Sequence, residues 1–160
     1  MIRRILQFAV VPFIWPFKLI FGLVISFSSY SDTLKSLLST LIQVVGGSPG
    51  VAMREAYYRQ HLSVLGCNVT FLPFITIDQA QKVSVGNNVS INSFTVIVAF
   101  ENISIGDDVL IGPHVLIHSG NHKYKDHMMP IRTQGHEQAP IVIEDDVWIG
   151  AHAVVLKGVT

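Results

Sequence analysis

Apolar positions along the chain follow three patterns. Residues 8–27 form a nearly continuous run, fifteen of twenty apolar with one charge at Lys18, about the length that spans a bilayer. Pro12, Pro16 and Lys18 interrupt it, so it reads as a re-entrant or in-plane anchor, with a true span and a docking face on another protein as alternatives. Arg3 and Arg4 then meet the cytoplasmic headgroups. Leu34, Leu37, Leu38, Leu41, Ile42 and Val45 recur at helical spacing and predict an amphipathic helix, capped by Ser31 or Asp32 and ended by Gly46-Gly47. Its oily face either packs on the following domain or lies on the membrane. After Pro49-Gly50 a second helix over residues 51–65 carries Arg54, Tyr57, Tyr58, Arg59 and His61 and stops at Gly66. Those side chains either line an acceptor site or cap and pack.

Further on, the period becomes six. VGNNVS and INSFTV run from Val85; IGDDVL, IGPHVL and IHSGNH from Ile105; IEDDVW, IGAHAV and VLKGVT from Ile143. Each begins with an aliphatic residue, and most continue with a small or polar one. One aliphatic side chain per six residues pointing into a narrow solenoid accounts for this, with the next position turning a corner. Gly86, Asn92, Gly106, Gly112 and Gly150 fall at such corners. The register slips by two residues near 100–103 and breaks over 119–140, which predicts a bulge and an extruded loop. Loops mounted on a rigid scaffold are where function is expected.

Composition narrows the classes. Lys+Arg and Asp+Glu are equal at 11 each, so there is no global electrostatic footprint for nucleic acid. The charge is uneven: residues 1–50 carry four basic groups and one acid, residues 51–160 seven and ten. With 49% hydrophobic residues the chain is not a disordered one. The single cysteine, Cys67, forms no intrachain disulfide and reads as a small buried hydrophobe.

The hexads, over roughly residues 57–160, resemble the hexapeptide-repeat acyltransferases. That resemblance implies a mainly β fold, a left-handed parallel β-helix, preceded here by a membrane-associated segment (1–30) and a helical region (31–66). The solenoid then occupies 67–160, with the catalytic loop at 119–140. The context SGNHKYKD, and its spacing from Asn92 through IGDDVLIGPHVLI, is similar to the maltose and galactoside acetyltransferases and to polysaccharide O-acetyltransferases. It implies that His122 is the general base, suited to proton transfer near neutrality. His118, His127 and His136 read as structural or surface residues. Through DDVWIGAHAVVLKGVT, the resemblance implies that Trp148, Gly150 and Ala151 contact coenzyme A. Asn92 matches an acceptor-binding asparagine; where the galactoside enzymes place an acceptor-binding acid, this chain has Phe100 with Glu101 beside it.

The activity implied is O-acetyl transfer from acetyl-CoA, as co-substrate and without a metal, to a saccharide hydroxyl on a membrane-linked glycan precursor. The family assembles as homotrimers with sites between neighbouring solenoids; because acetyl-CoA is cytosolic, the solenoid is expected at the cytoplasmic face of a membrane. Because it stops at Thr160, one coil after Ile143, the expectation is a shortened chain lacking C-terminal coils that complete the coenzyme site. Two other classes remain: a zinc hydratase of the carbonic-anhydrase type, using the ligand-like spacing of His122 and His127, and a non-catalytic scaffold.

Overall fold

The computed structural model describes residues 32–160; the apolar run at 8–27 and the anchor read from it lie outside the described residues. Among the described residues no helix is long and apolar enough to cross a membrane. Helix α1 (Asp32–Val44) ends at the predicted Gly46-Gly47 break, where Gly47 takes a φ of +64°. Helix α2 (Gly47–His61) starts earlier than the sequence suggests. Pro49 sits in its first turn, where a missing N–H leaves no helical bond unmade. It also ends earlier, because Val64 and Leu65 leave it to pair with Ser84 and Val85.

The rest is a left-handed parallel β-helix of three four-stranded sheets. The first sheet stacks β1 (Val64–Leu65), β4 (Val83–Val85), β7 (Ile103–Ile105) and β12 (Ile141–Ile143). The second stacks β2 (Thr70–Phe71), β5 (Ser90–Ile91), β8 (Leu110–Ile111) and β13 (Trp148–Ile149). The third stacks β3 (Thr76–Asp78), β6 (Val96–Val98), β9 (Leu116–His118) and β14 (Val154–Leu156). Partners are 20 residues apart in the early coils, Val64 opposite Ser84 and Ser84 opposite Ser104. The last step, Ser104 to Val142, is 38. The slip near 100–103 is the corner that carries two residues more than the hexads need. An equivalent corner, with a 3-10 turn at Ala80–Lys82, precedes β4. Inward aliphatic rows such as Val85, Ile105 and Ile143 make the core, each side chain contributing about 1.5–3 kcal/mol by burial.

Corner geometry differs from the expectation. Positive φ, between 56° and 64°, falls on Asn68, Asn88, Asp108 and Asp146 at one corner, and on Phe74, Phe94, His114 and His152 at the next. Gly86, Gly106, Gly112 and Gly150 are not among the positive-φ residues. The first three are needed for close approach: a Cβ on Gly86 would lie 2.6 Å from the Gly106 carbonyl oxygen, and one on Gly112 2.7 Å from the Ala151 nitrogen. At the aromatic corner four rings stack in file at 5.0, 4.8 and 4.9 Å, within 9° of parallel. At the other, backbone N–H groups of Asn87 and Asp107 donate to Asp107 and Asp145 on the next coil. The Asn87 bond holds the Asp107 carboxyl below the usual carboxylate range.

Arg54 joins the helices to the first coil. Fully buried, it donates from Nε to the Phe71 carbonyl (2.8 Å) and from Nη1 to those of Ile42 (2.7 Å) and Val45 (2.9 Å). Tyr58 donates to the Ile75 carbonyl at 3.1 Å. Of the two readings of these α2 side chains, Arg54 and Tyr58 follow the second, capping and packing. The oily face of α1 divides: Ile42 is buried, whereas Leu37 and Leu41 are exposed, as is Val44 outside the predicted face.

Candidate active site

The predicted extruded loop is a hairpin. Strands β10 (Gly120–His122) and β11 (His136–Gln138) pair antiparallel, with Gly120 opposite Gln138 and His122 opposite His136. Its base is fixed by buried Ser119, whose Oγ accepts from the Glu101 N–H and donates to the Glu101 carbonyl, both at 2.8 Å. The return strand is tied to the last coil by Lys157, 3.1 Å from Glu137. Hydrogen bonding and charge from Lys157 hold the Glu137 carboxyl below its ordinary range. Gln134 staples the tip, donating to the Asp126 (2.7 Å) and Met129 (2.9 Å) carbonyls. Tyr124, His127, Met128 and Ile131 are exposed there.

Where the hairpin leaves the solenoid, a cavity of 260 Å³ is lined by Phe100, Leu116, His118, Gly120, Asn121, His122, His136 and Leu156. The His122 and His136 ring centroids are 4.3 Å apart, and His136 stacks on Phe100 at 5.7 Å. Phe100 also meets His118 at 5.4 Å. It presses so closely on the hairpin that a Cβ on Gly120 would lie 2.8 Å from Cδ2 of its ring. Thus Phe100, His118 and His136, which the sequence reading left without a chemical part, share one cavity with His122. The signal for His118 was available: strand alternation turns it outward when Ile117 points in.

The other candidates stand elsewhere. Glu101 lies at the hairpin base, its carboxylate accepting from the Asn102 N–H at 3.2 Å, and is not among the cavity's lining residues. Asn92 holds its own turn, Oδ1 accepting from the Ser93 N–H at 2.9 Å. Trp148 is 79% exposed on the second sheet, level with Leu110. Gly150 and Ala151 follow it into the aromatic corner. A single chain therefore does not bring His122 together with Trp148. Among the described residues no group of three His, Cys, Asp or Glu side chains is placed to hold a metal ion.

No protein-family model matches the chain. Solved structures do. A hexapeptide-repeat-containing acetyltransferase from Vibrio cholerae complexed with acetyl coenzyme A is 29% identical, with a TM-score of 0.67 over 80% of this chain and 70% of that one. A second structure of that protein is 30% identical at the same TM-score, over 79% and 69%. This chain belongs to the hexapeptide-repeat acetyltransferases. A galactoside acetyltransferase in complex with coenzyme A is 28% identical, TM-score 0.67, over 78% of this hexapeptide-repeat acetyltransferase and 60% of that chain. The acyltransferase reading of the sequence holds at that level.

Proposed function

We propose that this acetyltransferase moves an acetyl group from acetyl-CoA to a hydroxyl of a membrane-linked saccharide, with His122 as general base, working as a homotrimer at the cytoplasmic face of a membrane. The observation that carries the reading is the position of His122: on a braced hairpin, lining a cavity whose floor is aromatic and aliphatic. The bound acetyl-CoA and coenzyme A of the two similar acetyltransferases support the donor.

The chemistry is direct transfer. His122 takes the proton of the acceptor hydroxyl as its oxygen attacks the thioester carbonyl. The new C–O bond forms, the C–S bond breaks, and the departing thiolate receives the proton to leave as coenzyme A thiol. No covalent enzyme intermediate is required. Trp148 offers an exposed ring, and Gly150 has open space around it, for the coenzyme arm. Their position on a different sheet from the hairpin favours a site in which His122 of one copy faces Trp148 of another. Asn92 and Glu101 are the proposed acceptor contacts. For the membrane, support comes from the apolar run at 8–27 and from exposed Leu37, Leu41 and Val44 on the helix that follows it.

Mass spectrometry of glycolipid and sugar pools, from cells with and without the protein, tests the proposal. An added acetyl group that depends on the protein is expected; pools that do not differ would overturn the saccharide reading.

A further inference from the structure

His118 closes strand β9, in which Ile117 is fully buried and His118 turns outward into the cavity lined also by His122. Its ring is held from two sides. The Gly120 N–H donates to His118 Nδ1 at 3.1 Å, and the Phe100 ring lies tilted against it at 38°. A ring nitrogen that accepts a hydrogen bond carries no proton, so the neutral imidazole keeps its proton on Nε2. The ring makes no other hydrogen bond among the described residues. Three of the residues that share this cavity, Phe100, Leu116 and Leu156, present only carbon. A donor of fixed tautomer therefore stands beside an apolar patch, in a cavity whose other polar side chains are Asn121, His122 and His136.

We propose that His118 is a second substrate-contacting residue, whose Nε2–H donates a hydrogen bond to an oxygen of the acceptor and so turns the reacting hydroxyl toward His122. This rests on the reading of His122 as base. One backbone bond then divides the labour between two identical side chains: His122 is free to accept a proton, while neutral His118 can only donate one from its free nitrogen. The acceptor class that fits is an alcohol with a second oxygen beside the reacting one, such as a vicinal diol of a sugar ring, rather than an isolated alcohol.

The test exploits the shapes of Asn and Gln. In His118→Asn the amide oxygen occupies the place of Nδ1, keeping the Gly120 contact and losing the far donor. In His118→Gln the amide nitrogen reaches the place of Nε2, keeping the donor and losing the near acceptor. Detergent-solubilised full-length protein is assayed with labelled acetyl-CoA and, as acceptor, the glycolipid fraction from cells lacking the protein. His118→Asn is expected to raise the acceptor KM about tenfold, the scale of one lost hydrogen bond, without moving the KM for acetyl-CoA. His118→Gln is expected to recover most of that loss. The opposite ranking, with Asn at wild-type level and Gln impaired, would mean that the residue only holds the hairpin. Nitrogen-15 spectra of histidine-labelled protein supply an independent arm: a proton on Nε2 of His118 supports the proposal, and one on Nδ1 overturns it. His122→Ala separates the two readings. If it leaves transfer intact, the parent assignment fails; if it abolishes transfer while His118→Asn leaves the acceptor KM unchanged, only the present inference fails.

Discussion

His122 and His136 are cross-strand partners whose ring centroids stand 4.3 Å apart. The pairing seats an exposed imidazole on an arm held at its base by Ser119 and along its return by Lys157. His122→Ala is therefore expected to cut acetyl transfer by about a hundred- to ten-thousand-fold, the range of a lost general base, with an unchanged melting temperature. Thiol release from acetyl-CoA measures it, and turnover within a few-fold of wild type would sink the assignment.

The solenoid, its slip and its extruded loop were legible because each follows from where aliphatic residues can point. The corners were not. Gly86 and Gly106 lie at corners, yet they serve the close passage of successive coils, while the left-handed conformation falls two residues on, at Asn88 and Asp108. Nothing in a single sequence suggests that Phe74 and Phe94 adopt positive φ, which bulky side chains avoid. Stacking between coils accompanies it, and that file of rings exists only once the coils are aligned. The site was legible in part for a similar reason. His122 belongs to a motif, whereas His118, His136 and Phe100 meet it only through the hairpin pairing and the corner at 99–102.

Arg54 makes a sharper stability prediction. Its removal leaves the carbonyls of Ile42, Val45 and Phe71 without their donor, so Arg54→Ala is expected to destabilise by about 2–5 kcal/mol. Hydrogen exchange should show the amides of α1 opening first, with those of β7 and β8 still protected. Uniform loss of protection along the chain would contradict the local role.

Tyr58 predicts a response to alkali. Burial raises its pKa well above the ordinary tyrosine value, more than the hydrogen bond from Gln43 lowers it. Its contribution is complete below about pH 10 and declines as pH rises further, because the unfolded phenol ionises first. Wild type is expected to lose stability from about pH 10 upward. Tyr58→Phe is expected to lose less over that window, at a cost near neutrality of about 0.5–1.5 kcal/mol. Denaturant titrations at about pH 8 and about pH 10.5 compare the two; identical alkaline slopes would refute the assignment.

Cys67, expected from the sequence to be buried, is exposed, and it is the chain's one cysteine, so the native protein carries its own topology reporter. With the solenoid on the cytoplasmic side, an impermeant thiol reagent should leave Cys67 unmodified on intact cells and label it after permeabilisation. Labelling from outside would defeat the proposed orientation and, with it, access to cytosolic acetyl-CoA.

The 38-residue step between Ser104 and Val142 has a consequence for how such a chain can change in length. Between β1 and β9 every rung is fixed by the one beneath it, so a single inserted residue shifts the aromatic file, the carboxylate–amide rows and the buried aliphatics together. The hairpin is a side branch: the chain departs at Ser119 and returns at Ile141 onto the strand it would have met without the excursion. Residues 123–135 are thus exempt from the solenoid's counting. That stretch can gain, lose or exchange residues beside His122 while the coils beneath keep their register, which makes it the segment in which acceptor preference can diversify without a new fold.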